Sequence, residues 1–174
     1  MRLTHRGLFL LLSAAGMAAP LQAVSNPSGK VPSAPCAVGS ALQSLASPAF
    51  GALDIDADYY IFVYSASWCA PCRVLMQEIV GSICPEMRNE HKYRVELVFM
   101  GLEAAESLAA YRKDAGIDFY TVSAVRVDLS ALPGAPRLTD LPIPFCVIVV
   151  KEGHILRQGH GVLVREWRAI LEKN

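Results

Sequence analysis

Short apolar runs divide the chain into predicted strands. Residues 59–66 form an unbroken run of apolar, aromatic and β-branched side chains, which is typical of a buried central strand. The other predicted extended segments are residues 94–100, 117–127, 145–150 and 154–158. Lys151-Glu152-Gly153 supplies a turn between the last two segments, so these two are expected to form an antiparallel hairpin.

Apolar residues at helical spacing predict four helices around these strands. They are residues 37–46, a helix that begins near Cys72, residues 103–115 and residues 163–173. In the second helix, one stripe holds Cys72, Leu75, Met76, Ile79 and Ile83, so Cys72 is expected to face the core. Pro85 disfavours helical geometry at Cys84, and we expect this helix to end or kink there. Strands joined by helical crossovers predict a parallel α/β core.

The first 23 residues have the layout of a secretory signal peptide. Arg2 and Arg6 precede the apolar run 8–19, and small residues end at Ala23. This run of about a dozen residues is shorter than the ~20 that a membrane-spanning helix requires, so an uncleaved anchor is the less favoured alternative. Residues 24–35 are rich in Ser, Pro, Gly and Asn and predict a flexible linker. We therefore expect an exported protein, periplasmic if its source is a Gram-negative bacterium, with its folded domain over residues 36–174.

The balance of charge indicates which classes of binding partner to expect. The 174 residues include 16 basic and 16 acidic side chains, and no basic stripe is interleaved with aromatic residues. Nucleic acid is therefore not an expected partner. A chain of this length can bury a full core by itself, and we expect a monomer.

The residues that carry chemistry lie where the first predicted strand meets the second helix. Trp68-Cys69-Ala70-Pro71-Cys72 contains a Cys-X-X-Cys pair, which is either a redox pair or half of a zinc site. A zinc site needs a second pair of ligands. The four histidines, His5, His91, His154 and His160, are scattered, so no metal site is expected.

Two separate motifs resemble a known family. The segment Ser65-Ala66-Ser67-Trp68-Cys69-Ala70-Pro71-Cys72-Arg73 resembles the active site of the thioredoxin superfamily, and its Ser-Ala-Ser-Trp-Cys start is similar to tryparedoxin, nucleoredoxin and the bacterial TlpA-type reductases. Ile143-Pro144, ahead of an apolar strand, is similar to the cis-proline loop of this family. The resemblance covers about residues 54–172. It implies a thioredoxin-like fold, a central mixed β-sheet flanked by helices, with a TlpA-like inserted helix and strand between the motifs.

The resemblance also implies roles for individual residues. Cys69, at the exposed helix start, would attack a disulfide and Cys72 would resolve the mixed disulfide, which leaves a Cys69–Cys72 bridge. Trp68 would pack beside that bridge, and Pro71 would fix the backbone between the cysteines. Ile143 would offer its backbone to a substrate segment beside a cis Pro144.

Four further positions qualify this interpretation. Cytosolic thioredoxins keep a buried acid beneath the active site, whereas the aligned residue here is Val63, so proton transfer at Cys72 must use water or another group. Cys36, Cys84 and Cys146 are odd in number, which leaves at least one of them free or intermolecular. We expect Cys146 to be a small buried strand residue. A structural bridge between Cys36 and Cys84 is an open alternative.

These features favour a thiol–disulfide oxidoreductase that reduces protein disulfides. Its expected partners are protein thiols and disulfides and a membrane or periplasmic electron donor, and no cofactor is required. A disulfide oxidase or isomerase would use the same two cysteines. A non-enzymatic domain that delivers thiols or metal ions is a further alternative, because His154 and His160 lie near the final hairpin. The Pro- and Thr-containing motif of peroxiredoxins is absent.

The signal layout leads to a direct prediction. We expect the exported protein to lack about the first 23 residues and to begin near Val24, because the small residues that precede a cleavage site end at Ala23. N-terminal sequencing of exported material measures this. A start at Met1 in the membrane fraction would favour the retained anchor instead.

Overall fold

The computed structural model describes residues 37–45, 49–126, 132, 137 and 141–174. All of them belong to one unit, Ser33–Asn174. The predicted signal peptide, the predicted linker and Cys36 lie outside the described residues, as do most of residues 127–140. Within the described part of the chain, no helix is long and apolar enough to cross a membrane.

A six-stranded mixed sheet lies at the centre of the described structure. Its strands are β1 (Ala49–Phe50), β2 (Tyr59–Ser65), β3 (Val95–Gly101), β4 (Tyr120–Ser123), β5 (Phe145–Val150) and β6 (Ile155–His160). They lie in the order β1-β4-β3-β2-β5-β6. Strands β2, β3 and β4 run parallel, whereas β1, β5 and β6 are antiparallel to their partners. The two-residue β1 was not predicted, since so short a segment carries no periodicity.

Helices cover both faces of this sheet. They are α1 (Ala37–Ser44), α2 (Ala70–Glu78), α3 (Cys84–Arg88), α4 (Ala105–Asp114) and α5 (Trp167–Leu171). The side chains of α1 pack on one face, and those of the other four helices pack on the opposite face. The α/β class predicted from the sequence, with a mixed sheet flanked by helices, is confirmed.

Burial on both faces explains the unbroken apolar run in β2. Ile61 and Val63 point towards the face covered by α2 and α5, while Tyr60 and Phe62 point towards α1. All four side chains are buried. A strand in this position has no solvent-facing side, so the alternation of polar residues disappears.

The helix after the motif continues past Cys84. A π-helical turn, Ile79–Ile83, joins α2 to α3, and the Cys84 N–H donates to the Ile79 carbonyl. Cys84 keeps helical angles, φ −63° and ψ −43°. Pro85 has no N–H to donate and would crowd the preceding turn of a regular α-helix. The wider turn relieves this conflict without ending the helix.

The predicted C-terminal helix divides into two parts. A 3₁₀ segment, Gly161–Glu166, comes before α5. The Gly161 N–H donates to the Pro144 carbonyl at 2.7 Å, and His160 Nδ1 accepts from the Val162 N–H at 3.3 Å. Contacts with a distant loop and a capping side chain therefore hold the tighter first turn.

Glu96 on β3 makes stability depend on pH. Burial, which is the main cause, raises the pKa of Glu96 from 4.5 to about 7. The folded chain therefore holds the proton on Glu96 more tightly than the unfolded chain does. The stability that this proton contributes is lost as pH rises from about 4.5 to 7. We expect Glu96→Gln to remove that loss and to raise the free energy of unfolding at pH 8 by on the order of 1 kcal/mol, allowing for the exposed part of the side chain.

Urea denaturation at pH 5 and pH 8 measures this effect. The exposed Glu106 provides the control variant, Glu106→Gln. A gain for Glu96→Gln as large at pH 5 as at pH 8 would contradict the assignment.

Candidate functional site

The end of β2 delivers Cys69 to the start of α2. Cys69 is the N-cap residue, with an extended backbone of φ −88° and ψ 109°. The Cys72 N–H donates to Cys69 Sγ at 3.3 Å. This N–H is one of the first in the helix and has no partner within it. The Cys69 sulfur therefore lies at the positive end of the helix dipole, which favours a thiolate over a thiol.

The two cysteines of the motif differ in their access to solvent. They are joined in a disulfide, and Cys69 is 7% exposed whereas Cys72 is 1% exposed. Cys72 lies on the buried stripe of α2 together with Leu75 and Met76, as the helical spacing predicted. Ala66, Leu102 and Ile143 pack around the pair. A reagent from solvent therefore reaches Cys69 first.

The loop before β5 faces the pair from the other side. The Ile143-Pro144 peptide bond is cis, and the Ile143 carbonyl oxygen lies 3.9 Å from Cys69 Sγ. Gly161 allows this loop to approach α2 closely. A Cβ at Gly161 would come within 2.6 Å of Pro144 Cβ and 2.7 Å of Leu75 Cδ2.

Trp68 and Pro71 flank the cysteines in different ways. Pro71 lies in the first turn of α2, where its missing N–H costs no hydrogen bond. Trp68 differs from the expectation that it packs beside the disulfide, because its side chain is 68% exposed. The chain turns sharply at this point, where the Cys69 N–H donates to the Ala66 carbonyl at 3.2 Å, and the indole is left on the surface.

A buried acid approaches the motif from the neighbouring strand. Val63 is buried and pairs with Phe99 and Cys146, so β2 itself contributes no acid at this position. Glu103, just beyond β3, is 7% exposed. Its Oε1 accepts from the Ser67 N–H at 2.8 Å, and its Oε2 accepts from the Ser67 hydroxyl at 2.6 Å.

Sequence reasoning did not identify Glu103. One signal was present: Glu103 follows the predicted strand 94–100, and parallel strands bring their carboxyl ends to one edge of a sheet. The pairing with Ser67 also requires the register between β2 and β3, in which Ser65 lies opposite Gly101.

Among the residues that the structure describes, two other cysteines, Cys84 and Cys146, are free and buried. Burial raises the pKa of Cys146 to about 12, and burial is also the main cause that raises the pKa of Cys84. Both groups therefore remain thiols at neutral pH and are poor nucleophiles. Cys146 is a small buried strand residue, as expected. The Cys84 thiol is free in the described part of the chain, and Cys36, its alternative partner, lies outside the described residues.

The histidines near the final hairpin show no metal-binding arrangement. Among the described residues, no group of three or more His, Cys, Asp and Glu side chains is placed to hold a metal ion. His160 uses Nδ1 to cap the 3₁₀ segment.

Solved structures with the same fold share a redox description. A candidate protein disulfide isomerase from Bacteroides thetaiotaomicron is 22% identical, with a TM-score of 0.53 over 66% of this chain and 74% of its own. A thiol:disulfide interchange protein of the thioredoxin family from Chlorobium tepidum is 19% identical, with a TM-score of 0.51 over 67% and 79%. A DsbF homologue from Corynebacterium diphtheriae is 14% identical, with a TM-score of 0.53 over 67% and 72%.

These similarities show that the chain has a thioredoxin-like fold. The fold predicted from the two motifs is thereby confirmed. No protein-family model matches the sequence, and no curated protein matches it.

The geometry of the pair predicts which thiol reacts. We expect limiting iodoacetamide to label Cys69 in the reduced protein at least about tenfold faster than Cys72, because Cys69 is the more exposed and lies at the helix start. Mass mapping of the labelled peptides measures the ratio. Unfolding in urea should abolish the selectivity, and preferential labelling of Cys72 in the folded protein would refute the prediction.

Proposed function

We propose that this protein is an exported thiol–disulfide oxidoreductase that reduces disulfides in other proteins. Cys69 and Cys72 would be its catalytic residues. One observation carries the proposal: the Cys69 sulfur accepts a helix N–H at 3.3 Å and lies 3.9 Å from the Ile143 carbonyl. A nucleophilic sulfur and a backbone acceptor for a substrate segment thus lie side by side.

The reaction follows from the two sulfurs. The Cys69 thiolate attacks one sulfur of a substrate disulfide, the substrate S–S bond breaks, and the second substrate sulfur leaves as a thiolate. The Cys72 thiol then loses its proton to water, and its thiolate attacks Cys69 Sγ. That step releases the first substrate sulfur and forms the Cys69–Cys72 disulfide. The substrate gains two electrons and the protein loses two.

The substrate is expected to be an extended polypeptide. Ile143 would pair its backbone with a substrate segment, and the exposed Trp68 would contact apolar side chains of that segment. Pro71 would keep the two cysteines at a fixed separation. Because the protein ends each cycle oxidised, an external dithiol must reduce it, and a membrane or periplasmic electron donor would fill this role.

We also propose the direction of the reaction and the location of the protein. Reduction is favoured by the TlpA-like layout of the two motifs, with Ile143 before the proline, while an oxidase or isomerase would use the same pair. Export rests on the signal layout of residues 1–23. The protein is proposed to act as a monomer. No cofactor is proposed, because the two sulfurs carry both electrons.

A trapping experiment tests the catalytic roles. We expect Cys72→Ser to accumulate a covalent adduct with insulin, because Cys69 can still attack while the resolving sulfur is missing. Dithiothreitol should release the adduct. Cys69→Ser is the matched control and should give roughly tenfold less adduct or none. Equal adduct from both variants would reject the assigned order of attack.

The direction of the reaction has its own measurement. Acid trapping followed by alkylation reports the redox state of Cys69 and Cys72 in the native compartment. We expect the two to be mainly reduced, because a reductase must present a free thiolate to its substrate. A steady-state disulfide would identify an oxidase instead.

A further inference from the structure

Glu103 is tied to the turn that carries the reactive cysteine. Both carboxylate oxygens are engaged by Ser67, one with its N–H and one with its hydroxyl. The Ser67 carbonyl in turn accepts from Arg73 Nη1 at 3.3 Å. The turn between β2 and α2 is therefore held from β3 on one side and from α2 on the other.

The position of Glu103 is itself anchored. The Ser123 hydroxyl at the end of β4 donates to the Glu103 carbonyl at 2.6 Å, and the Leu102 N–H donates to the Ser65 carbonyl at 3.0 Å. The ends of β2, β3 and β4 thus meet around Glu103, whose backbone is fixed by Ser123 and whose carboxylate is bound by Ser67. Burial of the Glu103 carboxylate costs desolvation free energy, which its two hydrogen bonds offset.

The charge of Glu103 lies close to Cys69. Oε1 is 2.8 Å from the Ser67 nitrogen. Two residues of chain span at most about 7 Å, so this oxygen lies within roughly 10 Å of the Cys69 backbone. Tyr111 on α4 is coupled electrostatically to Glu103 and, with the opposite sign, to Arg73 on α2. Burial is the main cause that raises the pKa of Tyr111, and the charge of Glu103 adds to the effect while that of Arg73 opposes it.

We propose that Glu103 is a positioning residue with two separable effects on Cys69. Through Ser67 it holds the turn that places the sulfur, and through its negative charge it disfavours the Cys69 thiolate. This proposal rests on the proposed function only in taking Cys69 as the reactive thiol. The charge of Glu103 thereby makes the reduced pair with an ionised Cys69 less stable relative to the disulfide. A pair that is less stable when reduced gives up its two electrons more readily, as a reductase must.

Glu103→Gln separates the charge from the hydrogen bonds. The glutamine oxygen can accept from the Ser67 N–H, and its amide can donate to the Ser67 hydroxyl. The turn is kept and the charge is lost. We expect the midpoint of the pH profile of Cys69 alkylation to fall by up to about one unit. At pH 6, alkylation should become about threefold faster, because lower intrinsic nucleophilicity offsets part of the gain in thiolate.

Glu103→Ala removes both the charge and the brace. We expect the same downward shift of the midpoint, together with a loss of insulin reduction of at least about tenfold, because a misplaced sulfur aligns poorly with its target. Glu103→Gln should keep insulin reduction within about threefold of wild type. Glu106→Gln removes an exposed charge from the first turn of α4 and should leave both measurements unchanged.

The pH profile of Cys69 alkylation, with the labelled peptide followed by mass spectrometry, is the deciding measurement. It does not depend on the reduction of a substrate protein, so it is informative even if the proposed reductase activity is wrong. A midpoint for Glu103→Gln equal to that of wild type and Glu106→Gln would overturn the charge effect. Equal insulin reduction by Glu103→Ala and Glu103→Gln would overturn the positioning effect. If Glu103→Ala does not fold, Glu103→Gln tests this effect by itself: a loss of insulin reduction well beyond about threefold, with the hydrogen bonds to Ser67 kept, would overturn it.

Discussion

The burial of β2 on both faces is the constraint on which the site depends. Helix α1 covers one face, and α2 and α5 cover the other, so β2 has little freedom to shift. Its end at Ser65 is therefore a fixed point from which the chain turns into α2. Because of this, the Cys69 sulfur meets the first free N–H groups of the helix in a defined geometry.

Placement contributes more to the chemistry than the helix dipole does. A helix N-terminus stabilises an anion by about 0.3 to 1 kcal/mol and at most about 2, or roughly one pKa unit. The gain in thiolate is partly offset by lower nucleophilicity, which leaves a net rate gain of only about threefold. The larger benefit is that Cys72 is already beside Cys69, so a mixed disulfide can be resolved within the protein.

The topology of the sheet brings three distant segments to the same edge. Strands β2, β3 and β4 run parallel, so Ser65, Gly101 and Ser123 end in register. Strand β5 is antiparallel to β2, with Phe145 opposite Tyr64, so its beginning lies where β2 ends. The cis-proline loop and Glu103 therefore both face the motif. Glu96 lies near the start of β3, at the opposite end of the parallel strands from the motif.

Local pattern determined the α/β class, the bounds of most elements and the position of the Cys-X-X-Cys pair at a helix start. Periodicity reports which side of a segment is buried, and this information is contained in neighbouring residues. The resemblance between motifs added the loop at Pro144. Only the tertiary structure decided the exposure of Trp68, the free Cys84, the π-helical turn and the contact of Glu103 with Ser67. Each of these depends on strand register, on packing or on chain reversal between segments, and no local pattern of polar and apolar residues specifies such long-range geometry.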